Sequence, residues 1–154
     1  MIIISPWSRN LRTGGPSPKN YPHWEGLIKL LKGYNDIIQI GSGKEPKLVS
    51  SSSCVFNLPL DELASKYIMP CSFWVSVDNF LQHMCYHLKK PGVVIWGPSD
   101  PTIFGYQENL NILKDRSYLR PNQFVFWEQC VPDRKAFLKP HEIIDQLKVN
   151  GLLK

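Results

Sequence analysis

Residues 74–101 read WVSVDNFLQHMCYHLKKPGVVIWGPSDP. Two apolar runs, around Trp74–Val77 and Val93–Trp96, flank an amphipathic segment opened by Asp78-Asn79. Apolar runs of this length without alternation are the mark of strands buried on both faces. The segment between them carries apolar residues at helical spacing, with Asp78 or Asn79 as its N-cap. Strand, helix and strand in this order make a crossover unit, which requires parallel strands. The second run breaks at Gly97-Pro98-Ser99-Asp100, so polar residues gather just past the strand ends.

The same alternation extends in both directions. MIIIS reads as a first buried strand, and its three isoleucines lack the basic flank of a signal peptide. A long Pro-, Gly- and Ser-rich loop follows, of the kind that carries function. HWEGLIKLLKG is a helix, DIIQI a second strand stopped by GSGKE, and SCVFN a third strand. LPLDELASKYI is a helix, SFWVSV a strand and DNFLQHMCYHLK the helix already described. GVVIW is the fifth strand, QFVFWE reads as a sixth, edge-like strand, and KPHEIIDQLKVNGLL closes as a helix with Pro140 near its first turn. The expected fold is a single Rossmann-like α/β domain, residues 1–154, with a mainly parallel sheet.

Composition sets the boundaries. The 154 residues are 43% hydrophobic and 20% charged, an ordinary globular balance. No apolar run approaches the roughly 18 residues of a membrane span. Cys54, Cys71, Cys85 and Cys130 form no CxxC pair, and the first three sit among apolar residues, so buried free thiols there and a cytoplasmic location are expected. The net charge of +5 favours an anionic partner, but the basic residues are scattered, which makes nucleic acid unlikely. His23, His83, His87 and His141 make no ligand pattern with the cysteines, so neither metal nor other cofactor is expected. GSGKE lacks P-loop spacing.

In parallel sheets, ligands bind outside the carboxyl ends of the strands. Ser5 and Ser8 follow the first strand, Glu45 the second, Asp78 and Asn79 the fourth, and Ser99 and Asp100 the fifth. A helix start at Asp78-Asn79 offers unpaired amides to an anion. An acid at Glu45 is placed to accept hydrogen bonds from ribose hydroxyls. Lys19, with Arg9 and Arg12 beside it, supplies mobile positive charge from the first loop. The tryptophans read as core, except Trp7, whose loop position suits stacking on a base.

The order of these segments resembles the lipopolysaccharide heptosyltransferases, glycosyltransferase family nine, and specifically the C-terminal half of their GT-B architecture. The likeness lies in IIISPWS, KNYPHWEGLIKLL, IIQIGSGKE, NLPLDELASKY, the opening stretch, and CVPDRKAFLKPHEIIDQL, six segments in family order. Tyr21 stands where the family more often has Trp, and Asn79-Phe80 where it has Ser/Thr-Gly. The resemblance implies a nucleotide diphosphate-sugar as ligand, with His83 ordering or touching its phosphates. Family enzymes also have an N-terminal domain that holds the acceptor and the catalytic carboxylate. The chain is therefore expected to be a donor-binding component, inactive alone, that pairs with a second copy or with an acceptor-domain subunit. The other reading is a non-catalytic nucleotide or nucleotide-sugar binder, a regulator or a sponge for a small signal. Trp7, Tyr21, Phe104 and Tyr106 are expected to be partly exposed along the open face.

Overall fold

The computed structural model describes residues 1–154. Six strands form one sheet in the order β3-β2-β1-β4-β5-β6. They are β1 (Ile2–Ser5), β2 (Ile37–Gly41), β3 (Ser53–Phe56), β4 (Phe73–Ser76), β5 (Val93–Trp96) and β6 (Leu110–Leu113). Every pairing is parallel. This is the doubly wound order, and its direction reverses between β1 and β4.

Residue parity along the strands explains both faces. Ile2 and Ile4 of β1, Phe73 and Val75 of β4, and Val93 and Ile95 of β5 pack into one core with the helices α1 (Trp24–Leu31) and α5 (Pro140–Val149). Ile3, Trp74, Val94 and Trp96 point the other way. They meet Leu63 and Ile68 of the helical stretch 60–68, called α2, and Leu81 and Cys85 of α3 (Phe80–His87). Successive side chains of a strand face opposite sides, so runs such as Ile2-Ile3-Ile4 feed two cores at once.

Three expectations are corrected. The sixth strand is Leu110–Leu113, paired with β5, and not QFVFWE. Residues 123–128 run as an irregular loop ending in a short turn at Trp127–Gln129. Arg120 stacks 3.4 Å from the Trp127 ring centroid and donates to the carbonyls of Gln123, Val125 and Phe126, which removes them from any ladder. Tyr21 is buried, not exposed: its ring meets Trp24 and Phe137 edge-on, and its hydroxyl donates to the Leu138 carbonyl at 2.9 Å. Cys71 and Cys85 are buried free thiols, whereas Cys54 is only half-buried. No helix is long and apolar enough to cross a membrane.

Candidate functional site

The carboxyl ends of β1 and β4 lie side by side, with Ser5 in register with Ser76. A cleft of about 800 Å³ opens above them. Of the residues singled out in the sequence, Ser8, Arg9, Lys19, Glu45, Asp78, Asn79 and His83 line it.

Asn79 is the N-cap of α3 and accepts from the Leu81 amide at 3.0 Å. Its side-chain amide turns back to the Ser5 carbonyl and hydroxyl, both at 3.0 Å, and to the Trp7 carbonyl at 3.1 Å. A Ser or Thr cap has no such amide. Asn79 thus fixes the first loop to the start of α3 while leaving amides of the first helical turn without intrahelical partners. Ser5 itself is buried and serves this lacing, outside the cleft. Phe80, which follows the cap, is 45% exposed and lines the cleft.

Asp78 is largely buried between two partners. Lys19 Nζ lies 3.0 Å from its Oδ2, and Gln82 Nε2 donates to its Oδ1 at 2.7 Å. The Ser8 hydroxyl donates to the Asp78 carbonyl, and the Ser8 amide donates to Asn20 Oδ1 at 2.8 Å. The loop is therefore closed on itself and on Asp78 in the turn after β4, and Lys19 is a held ammonium rather than a mobile one. Arg9 stays exposed at the mouth. Arg12 faces elsewhere, over the Phe126 ring, with its amide donating to Glu128.

Glu45 sits on the opposite wall. Its Oε2 accepts from the Ser42 amide at 3.0 Å, directly over Gly41, where a Cβ would come within 1.9 Å of that oxygen. Burial pushes its carboxyl above the usual range. The turn is pinned from below by Gln39, a fully buried polar residue inside β2. It donates to the Pro46 carbonyl and accepts from the Leu48 amide, both at 2.8 Å. The Trp7 indole also donates to the Pro46 carbonyl, at 2.9 Å, which fixes that ring half-buried along the cleft.

His83, one turn into α3, is exposed to the cleft, with Nδ1 2.8 Å from the Tyr106 hydroxyl. Ser99 and Asp100 do not reach the cleft. Asp100 caps the short helix at Pro101–Phe104, called α4, by accepting from the Thr102 amide. It also takes a two-pronged ion pair from Arg116, at 2.8 and 3.2 Å. That guanidinium holds its carboxyl below the usual range. Ser99 is buried beside it.

The sequence reading missed a second, apolar recess of about 220 Å³ that shares Ser42, Glu45 and Phe80 with the cleft. Ile40, Val55, Leu58 and Leu63 line it, and Asn57, in the left-handed conformation at φ 60°, closes its end. Asn57 follows β3 directly, so the strand-end rule that found Glu45 applies to it equally. Gln39 was also legible, as the single polar residue within an apolar strand. No three His, Cys, Asp or Glu side chains converge anywhere in the structure.

No family model matches the chain. It is 30% identical over 97 residues to lipopolysaccharide heptosyltransferase 1 of Escherichia coli strain K12, a match covering 56% of this chain and 30% of that protein. E. coli heptosyltransferase WaaC with ADP shares the fold at TM-score 0.67 and 17% identity, over 97% of this chain and 44% of that one. E. coli ADP-heptose lps heptosyltransferase II does so at TM-score 0.58 and 20% identity, over 97% and 47%. The chain thus resembles the heptosyltransferases in sequence and in fold, and it spans less than half the length of these relatives.

Proposed function

We propose that residues 1–154 form the nucleotide-sugar-binding unit of a heptosyltransferase-like glycosyltransferase, and that the ligand is an ADP-sugar. One observation carries this reading. A capped helix N-terminus, an ammonium and a partly desolvated carboxylate converge on one cleft, at the point where the sheet reverses direction. Each suits one part of a nucleotide diphosphate. The first-turn amides of α3 and the Lys19 ammonium meet the phosphates. Glu45 has an oxygen beyond the one held by Ser42, and it accepts from the ribose hydroxyls. The apolar recess behind Glu45 takes the base. The similarity to structures solved with ADP supports the choice of nucleotide.

In glycosyl transfer the acceptor oxygen bonds to the anomeric carbon as the bond from that carbon to the diphosphate breaks. The electron pair leaves with the diphosphate, and the acceptor proton passes to a base. Helix amides and an ammonium stabilise the charge that develops on the leaving group. Asp78 is paired with Lys19 and Gln82, and the remaining oxygen of Glu45 is committed to the ribose hydroxyls, so neither serves as the base. We place that base and the acceptor site on another domain or chain. The partly exposed Trp7, Phe104 and Tyr106 belong to the edge on which it closes.

Calorimetry with ADP, an ADP-sugar, UDP and GDP tests the proposal. Binding of ADP and its sugar in the micromolar range, with the sugar adding affinity, is expected. Equal affinity for ADP and ADP-sugar supports a non-catalytic nucleotide-binding module instead. No binding at millimolar concentration, about −4 kcal/mol, contradicts both.

A further inference from the structure

Tyr106 is clamped from three sides. Its carbonyl accepts from Asn111 Nδ2 at 2.8 Å, and Asn111 Oδ1 in turn accepts from the Trp96 indole at 2.8 Å, which ties the residue to β5 and β6. Its ring stacks on Tyr86, with centroids 4.1 Å apart and planes 14° apart. Its hydroxyl then lies 2.8 Å from His83 Nδ1. His83 and Tyr86 are three residues apart on α3, hence on one helix face. The hydroxyl has no other protein partner within hydrogen-bond distance, and His83 is exposed where it lines the cleft.

We infer that Tyr106 is a positioning residue for His83, donating its proton to Nδ1 and so holding the neutral ring as the tautomer protonated at Nε2. A neutral imidazole has one donor and one acceptor nitrogen, and the bond made by one fixes the role of the other. If Nδ1 carried the proton, Nε2 would present a lone pair to the cleft, which repels an anion. With Nδ1 accepting from the phenol, Nε2–H becomes a donor to an anionic group. The stacked Tyr86 and the tethered backbone keep the hydroxyl in place. The inference rests on the cleft being an anion site only for its consequence in binding; the tautomer is a property of the free protein.

The test uses the whole chain labelled with ¹⁵N at a pH where histidines are neutral, with the His83 resonances assigned from His83→Gln. Long-range ¹H–¹⁵N spectra are expected to show a bare Nδ1 and a protonated Nε2. Tyr106→Phe keeps the ring and its stack and removes only the donor. It is expected to shift population to the Nδ1-protonated form and to weaken ADP binding roughly 3- to 10-fold. In the His83→Gln background, Tyr106→Phe should cost no further affinity. A wild-type His83 protonated at Nδ1, or a tautomer unmoved by Tyr106→Phe, overturns the inference. Failure of the wild-type chain to bind ADP would remove the proposed function, while the spectra would still decide the role of Tyr106.

Discussion

The side-chain amide of Asn79 sits 3.0 Å from both the carbonyl and the hydroxyl oxygen of Ser5, so one residue caps α3 and laces it to the end of β1. Asn79→Ala should lose the cap, about 1 kcal/mol, and strand the Ser5 and Trp7 carbonyls, for a total of about 2 kcal/mol. Asn79→Ser keeps an acceptor for the Leu81 amide and should lose about half as much. Urea unfolding of the three proteins checks the order. Equal stability of all three would show that the lacing contributes nothing.

Gly41 and Gly97 should separate binding from stability. An added Cβ at Gly41 meets the Glu45 carboxylate, the mobile end of a side chain. Gly41→Ala should therefore displace Glu45 and weaken ADP at least about 10-fold, with under about 1 kcal/mol lost in stability. At Gly97 the Cβ would lie 2.3 to 2.8 Å from three atoms of the buried Phe137 ring. Gly97→Ala should cost about 1–3 kcal/mol by overpacking.

Most of this architecture was legible, and the failures share a cause. Continuous apolar runs such as Ile2-Ile3-Ile4 and Val93-Val94-Ile95 announced strands covered on both faces. Glu45, Asp78 and Asn79 followed from the strand-end rule alone. The rule overreached at Ser99 and Asp100 because β5 lies one strand from the reversal point. There, Arg116 and Gln123 from a later loop occupy Asp100. The strand Leu110–Leu113 was hidden by Asn111, whose amide is satisfied by Trp96 and Tyr106 only in the folded chain. QFVFWE has a strand's alternation, but the Arg120 side chain, a few residues upstream, consumes its carbonyls.

Lys19 and Asp78 should respond differently to removal. Lys19→Met leaves a largely buried carboxylate with Gln82 alone and should destabilise the protein by about 1–3 kcal/mol while weakening ADP at least about 10-fold. Asp78→Asn also loses stability, but it frees the ammonium and removes negative charge from the cleft. Its ADP affinity should be unchanged or tighter. Calorimetry and unfolding of both variants decide; equal loss of binding in both would refute the assignment of Lys19 to the phosphates.

The pH dependence has two opposing parts. Asp100, held low chiefly by its hydrogen bond from Arg116, contributes stability that is present above its ordinary value of 3.8 and is lost as pH falls through the lower folded value. Asp100→Asn should therefore flatten the acid limb of the stability curve. Glu45 is raised above 4.5 by burial, so its contribution is present below 4.5 and lost as pH rises through the folded value. Glu45→Gln should stabilise the chain slightly at pH 7 relative to pH 4, while binding ADP more weakly. Thermal unfolding across pH 3 to 8 tests both signs.

The most direct test of the account is an ADP titration followed by backbone amide NMR on the intact chain. Saturable shifts are predicted for Ser42–Glu45, Asn57-Leu58 and Asn79–Leu81, the three strand-end segments around the cleft and its recess. Ser99 and Asp100, outside the cleft, should remain still. Shifts confined to other surfaces, or none up to millimolar ADP, would contradict the claim that this cleft is a nucleotide diphosphate site.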